Sequence, residues 1–184
     1  MLVIGITGTL GAGKGTVVDY LVTEKKFGHY SVRDFINKEI VKRGLEINRD
    51  NMVVVANDLR LKHGPSYLIE QIYKTAIKTG KNFIIESLRT PAEIYSLKSK
   101  GEFVLFAVDA DIEKRYKRIN KRAIESDHVS FEKFVVDEKR EMKSQNPAKQ
   151  NLAKCISLAD YIFTNNKKIV DLHEQVEKTI KNII

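Results

Sequence analysis

The sequence predicts an α/β fold: one five-stranded parallel sheet flanked by helices in three layers. Three observations predict it. Short apolar, β-branched runs alternate with stretches of helical periodicity along the whole chain. Those runs are almost uniformly apolar, as strands covered on both faces require. The first run ends in a glycine cluster that leads straight into a helical pattern.

In chain order, residues 2–7 read as a buried strand that stops at the glycines. Val17, Val18, Leu21 and Val22 then recur at helical spacing. Residues 29–32 read as a short second strand. From Asp34 to Thr79 the pattern is mostly helical, with breaks near Gly44 and at Gly64-Pro65, which makes this stretch a helical excursion before the next strand. Asn82-Phe83-Ile84-Ile85-Glu86 is a third strand, ending abruptly on a carboxylate, and Pro91 opens a helix at its first turn. Phe103–Val108 is the fourth strand, Asp111–Arg122 a basic helical stretch, and Ser126-Asp127-His128 a polar loop. Tyr161–Thr164 is the fifth strand. In the closing segment Ile169, Leu172, Val176, Ile180 and Ile183 share one helical face, expected to pack on the core.

The 184 residues fit a single domain with a core of its own, and no repeat, low-complexity tract or linker marks a second. Hydrophobic residues are 42% and charged residues 30%, a globular balance. The lone cysteine, Cys155, has no partner for an internal bridge, which fits a reducing compartment, and is expected as a small core residue. The start has no basic segment, and its apolar run is too short for a signal peptide or a membrane span; cytoplasmic location is the expectation. A formal charge of +8 attracts polyanions without separating nucleotides from nucleic acid or an acidic membrane. The four histidines have no zinc-binding spacing, and no Asn-Lys-x-Asp guanine signature occurs.

The chemistry is concentrated in Gly8-Thr9-Leu10-Gly11-Ala12-Gly13-Lys14-Gly15-Thr16, between the first strand and the first helix. Glycines there let consecutive backbone N–H groups turn inward, the helix start adds its positive end, and a lysine can reach the outer phosphates of a polyphosphate. Strand, spacing and Lys-Gly-Thr together make this a phosphate-binding loop of the Walker A type and the fold a P-loop NTPase fold. Gly15 stands where the usual pattern has a Mg²⁺-binding hydroxyl, and Thr16 follows one place later.

The Gly-x-Gly-Lys-Gly-Thr ending resembles that of adenylate-kinase-related nucleoside and deoxynucleoside monophosphate kinases, a group close to dephospho-coenzyme A kinases. In such proteins the loop threonine contacts phosphate and Mg²⁺ is held largely through water. Ser31-Val32-Arg33-Asp34 looks like the end of the second strand, where that family places an acceptor-binding serine or aspartate. The resemblance makes Ser31 a binder and Asp34 either the residue that orients or deprotonates the acceptor or simply a helix cap. Asn37 occupies a place where many relatives carry arginine, leaving Arg60, Arg33 or Lys38 for that contact. Ile84-Ile85-Glu86-Ser87-Leu88-Arg89 looks like the strand ending in Asp-Gly-Ile-Arg; it implies that Glu86 acts near Mg²⁺, through water, and that Arg89 holds an acceptor phosphate. Arg115, Arg118 and Arg122 lie three and four residues apart on one helix face. They read either as a solvated basic helix or, by the resemblance, as a lid spanning residues 113–130 that closes on the triphosphate. Ala159-Asp160-Tyr161 matches the family's last strand entry, so the resemblance spans nearly the whole chain.

The resemblance implies an ATP- and Mg²⁺-dependent kinase acting on small nucleotides, monomeric or homodimeric, with Lys14, Asp34, Arg115 and Arg118 in catalytic roles, residues 8–16 and Arg122 binding ATP, Ser31, Arg60 and Arg89 binding the acceptor on the side formed by residues 34–79, and Thr16 and Glu86 near the metal. Dephospho-coenzyme A is the rival acceptor. A nucleotide-dependent regulator or RNA-associated ATPase is the reading from another class; the aromatics are not interleaved with the basic run as a single-strand stacking platform needs.

Overall fold

The computed structural model describes residues 1–121 and 129–184. Five strands, β1 (Val3–Gly8), β2 (Gly28–Ser31), β3 (Phe83–Glu86), β4 (Phe103–Asp109) and β5 (Tyr161–Thr164), form one wholly parallel sheet in the order β2-β3-β1-β4-β5. The fold is the expected three-layer P-loop fold. β1 is the central strand, with Val3 in register with both Phe83 and Phe103, and it is buried from end to end. The chain leaves β1 toward one edge, returns through β3, and then crosses to the other side. The crevice outside the carboxyl ends of β1, β2 and β3 is therefore where such a sheet binds a ligand.

Side chains alternate across the sheet as the period of two demands. Phe83 and Ile85 enter the core on one face with α2 (Val32–Lys42), α3 (Arg49–His63), α4 (Tyr67–Ala76), α5 (Pro91–Lys98) and α8 (Leu152–Ser157). Ile84 enters the other core, with α1 (Lys14–Lys25) and α9 (Ile169–Ile180). The remaining helices, α6 (Ile112–Lys121) and α7 (Phe131–Met142), flank the residues that are not described. The breaks expected near Gly44 and Gly64 separate α2, α3 and α4. Gly44 sits at φ 68° and Gly64 at φ 104°. Cys155 is buried, as expected, and burial pushes its thiol up to about 12, so it is an inert packing group.

One expectation fails. Ile169 opens α9 with 62% of its surface exposed, and Val170 beside it is also exposed. The buried stripe begins a turn later, at Leu172, and continues through Val176, Thr179 and Ile180. The loop expected at 126–128 lies outside the described residues.

Helix caps, more than propensity, aim the chemistry. Ser31 caps α2 through Oγ, which accepts from the Asp34 N–H at 3.2 Å; Asn48 caps α3 through Oδ1, which accepts from the Asn51 N–H at 2.9 Å. These caps start α2 and α3 so that Arg33 and Arg49 fall in first turns beside the crevice. Thr90 and Glu93 form a capping box at the start of α5, which fixes the backbone of Arg89 just before it.

Candidate active site

The phosphate loop is held in shape from outside. Gly8 and Gly11 adopt φ 132° and 79°, and a Cβ on either would sit 2.0 Å from the Val108 carbonyl oxygen or 2.6 Å from that of Arg115. Only glycine fits between the loop and its supports. Thr9 Oγ1 donates to Asp109 Oδ1 at 2.6 Å, Asn165 Nδ2 donates to the Ala12 carbonyl at 2.8 Å, and Arg115 Nη1 donates to the Leu10 carbonyl at 3.2 Å. With the Leu10 and Ala12 carbonyls tied to Arg115 and Asn165 and the Ala12 N–H turned onto the Thr9 carbonyl at 3.3 Å, the loop backbone is held in the curl that a phosphate cradle uses. Lys14, in the first turn of α1, donates from Nζ to the Gly8 and Thr9 carbonyls at 2.9 Å each.

The cleft runs from this loop to a set of arginines. Leu10, Gly11, Gly13, Lys14 and Gly15 line its near end; Arg33, Arg49, Arg60, Glu86, Arg89, Glu141 and Gln150 line the rest. Arg60, 2% exposed, donates to Glu93 Oε1 from Nε at 3.1 Å and from Nη2 at 2.7 Å. The other oxygen of Glu93, itself fully buried, accepts the backbone N–H groups of Arg89 at 2.8 Å and Thr90 at 3.1 Å. One carboxylate therefore fixes both an arginine side chain on α3 and the backbone that carries Arg89. Glu141, on α7, bridges two more: its Oε1 accepts from Arg49 Nε at 3.1 Å and Nη2 at 2.9 Å, its Oε2 from Arg89 Nη1 at 2.8 Å. Burial opposes its ionisation, but Arg89 and Arg49 outweigh that and hold it below the usual carboxylate range.

Glu86 closes β3 beside these groups. Burial again opposes its charge, yet the hydrogen bond to His29 Nε2 at 3.2 Å, with Lys14 and Arg89 nearby, keeps its carboxyl below the ordinary range. The same contact raises the His29 imidazole, against partial burial. Ser87 follows at φ 72°, a left-handed conformation that strains a residue with a side chain. It occupies the position where the pattern Asp-Gly-Ile-Arg has glycine.

Of the residues singled out in the sequence, Gly11, Gly13, Lys14, Gly15, Ser31, Arg60, Glu86 and Arg89 come together around this cleft. Thr16 sits in the first turn of α1. Asp34 does not join them: it is exposed in the first turn of α2 and is absent from the cleft wall, while the Ser31 hydroxyl is engaged as the cap. Arg115 is also elsewhere. It is 4% exposed and bound to Glu138 by both terminal nitrogens, with Nε on the Ala110 carbonyl at 2.7 Å, so it braces the loop. Arg118 donates from Nη2 to the Asn165 carbonyl at 2.8 Å, beside the residue that holds Ala12. Arg122, and with it part of the segment 113–130, lies outside the described residues. Sequence reasoning missed His29, Arg49, Glu93, Glu141, Gln150 and Asn165. Thr90-Pro91-Ala92-Glu93 carries the capping-box spacing and signals Glu93; nothing local signals Glu141, which reaches the cleft only through tertiary packing.

Among the described residues, no group of three or more His, Cys, Asp or Glu side chains is arranged to cage a metal, and no helix is long and apolar enough to cross a membrane.

The AAA domain family matches residues 4–144. Over its whole length the chain is 30% identical to a UPF0200 protein of Methanococcus maripaludis, strain C6, and spans 98% of that relative. The chain belongs to the UPF0200 family and contains an AAA domain. Among solved structures it is similar to a shikimate kinase from Bacteroides thetaiotaomicron, with a TM-score of 0.60, 11% identity and 98% of each chain covered. It is also similar to a dephospho-CoA kinase from Campylobacter jejuni, with a TM-score of 0.52, 16% identity, and 98% of this chain and 96% of that one covered. At such identities the likeness extends to the fold, which is that of P-loop kinases; the acceptors in those names belong to those proteins.

Proposed function

We propose that this protein transfers the γ-phosphoryl group of ATP to a small phosphorylated acceptor, most simply a nucleoside or deoxynucleoside monophosphate. One observation carries the reading: a phosphate loop with its lysine and a separate group of arginines line the same cleft. Phosphoryl transfer needs little from a protein beyond holding donor and acceptor in line and neutralising charge. Residues 8–16 hold the donor. Lys14 exchanges its two carbonyl partners for phosphate oxygens as nucleotide binds. Arg115 acts as a positioning residue that braces the loop, and Arg118 and Arg122 are the cations on the donor side. Arg60 and Arg89 hold the acceptor; Asp34 reaches it only if α2 moves toward the cleft.

Mg²⁺ fits this site in a limited way. Glu86 is a carboxylate kept ionised at the end of β3, within the field of Lys14, and Thr16 stands in the first turn of α1. One carboxylate with waters and substrate phosphates is a common set for this ion, so the lack of a protein cage is no obstacle. When bound, Mg²⁺ neutralises phosphate charge.

The test is ADP release from ATP, measured with a coupled assay, against the common nucleoside monophosphates and dephospho-coenzyme A. ADP release that depends on one added acceptor identifies that acceptor. Normal ATP binding with no acceptor-dependent ADP release, together with salt-sensitive retention of RNA, overturns the kinase reading in favour of an RNA-associated ATPase.

A further inference from the structure

The clasp between Glu141, Arg49 and Arg89 has an excess of positive charge. Two guanidinium groups share one carboxylate. Arg49 also opens α3, whose start adds the positive end of the helix, offset in part by the Asn48 cap and by Asp50 in the same turn. Glu86, in the same wall, lies in the field of Arg89 but is shared with Lys14 and His29, so it offsets this excess only in part. Arg140 is taken up by Asp50 and Asp137, and Arg60 is matched by Glu93. Yet the clasp lies in the wall of the cleft that holds Lys14, so an incoming anion can reach it.

We propose that Arg49 and Arg89 form the anion subsite of the acceptor, that Glu141 is its resident stand-in while no acceptor is bound, and that the anion it accepts is a phosphate monoester dianion. A forked guanidinium pair matches a tetrahedral dianion with several oxygens better than it matches one carboxylate, because both the charge and the acceptor sites increase. An independent observation points to a ligand in the same cleft. Arg60 Nη1 and Gln150 Oε1 are buried without hydrogen-bond partners among the described residues, and both residues belong to the cleft wall. A buried donor and a buried acceptor left unpaired are unfavourable unless something fills them. The remainder of the acceptor then offers one hydrogen-bond acceptor and one donor in an uncharged group, as the edge of a nucleobase does.

The proposal rests on the kinase reading for what the acceptor is, but not for the subsite. The decisive contrast is with a Glu141 that merely ties α7 to α3. A strut lost should weaken the site, whereas a stand-in lost should open it.

Inorganic phosphate is the probe, titrated calorimetrically into the full chain with the donor loop saturated by a non-hydrolysable ATP analogue, and acetate is the monoanion control. Glu141→Gln is expected to bind phosphate about tenfold more tightly than the unaltered protein and to gain little for acetate. Arg49→Gln is expected to lose about tenfold or more, with the affinity for the ATP analogue unchanged. Phosphate binding that is unchanged or weaker in Glu141→Gln overturns the proposal. Should that variant fail to fold by circular dichroism, Arg49→Lys decides. It keeps the charge but loses the fork, and phosphate affinity equal to that of the unaltered protein rejects the subsite. Tight phosphate binding in a protein that turns over no acceptor leaves the subsite standing and removes the kinase reading. Turnover whose acceptor KM does not fall in Glu141→Gln does the reverse.

Discussion

The two ends of the cleft are built on opposite plans. The end proposed for the donor is mainly backbone: residues 8–16, shaped by glycines and braced by Asp109, Asn165 and Arg115. The end proposed for the acceptor is side chain: arginines from α3 and from the β3–α5 loop, each held by a buried glutamate that lies far away in sequence. A backbone cradle recognises any polyphosphate tail and tolerates many surroundings. A side-chain cradle depends on every partner being present, so specificity and fragility should both be concentrated at the acceptor end.

The largest effect expected is on turnover. Lys14→Ala should lower phosphotransfer by about 100-fold or more, because it removes the lysine that the phosphate loop itself carries, while circular dichroism and the melting temperature stay near those of the unaltered protein. Glu93→Gln should do the opposite and damage stability more than any change in the donor loop. It strips the charge partner from an arginine that is 2% exposed, an arrangement worth about 3–5 kcal/mol when broken, measurable by urea denaturation. If Glu93→Gln costs less than Lys14→Ala in stability, the contrast drawn between the ends is wrong. Relieving strain at Ser87 should help: Ser87→Gly removes the penalty of a side chain at φ 72° and is expected to raise stability by about 0.5–1 kcal/mol in the same assay.

The smallest effect concerns pH. His29, raised above its ordinary 6.5 by Glu86, contributes stability that is fully present below that value and disappears as pH rises through the higher folded value. Glu86, lowered below its ordinary 4.5, contributes stability that is present above 4.5 and disappears as pH falls through the lower folded value. The pair therefore stabilises most between those two ordinary values. His29→Gln should lose under about 1 kcal/mol there and almost nothing near pH 9, as His29 is partly exposed. An equal loss at both pH values would mean that packing, and not charge, is what His29 supplies.

How much of this was legible in the sequence follows the same division. A backbone cradle is local, so strand, glycines, lysine and helix announce it within residues 3–25, and the sheet follows from apolar runs that need no tertiary information. That Glu86 and Arg89 stand in the cleft wall is legible because Glu86 ends β3, whose place beside β1 is set by topology, and Arg89 lies in the short loop after it. Arg49, Glu93, Glu141 and Gln150 act only after several helices have packed, and a lone glutamate in a charged helix such as Phe131–Met142 looks like any solvated one. Arg115 illustrates the converse error. Its spacing in a basic helix suggested a solvent-facing group that closes over substrate, but Glu138, invisible as a partner at that distance in sequence, draws it into the interior. Ile169 shares the apolar periodicity yet stays exposed, because periodicity marks a face and does not tell where along that face the packing begins.

The bond from Asn165 to the Ala12 carbonyl joins positions 153 residues apart. Synthesis proceeds from the first of these to the second, so a nascent chain has made its phosphate loop long before the brace for it exists. Nucleotide affinity should thus arrive late in translation, after β5 has docked against β4, and a ribosome-bound fragment ending before Asn165 should be unable to retain ATP even with every loop residue in place.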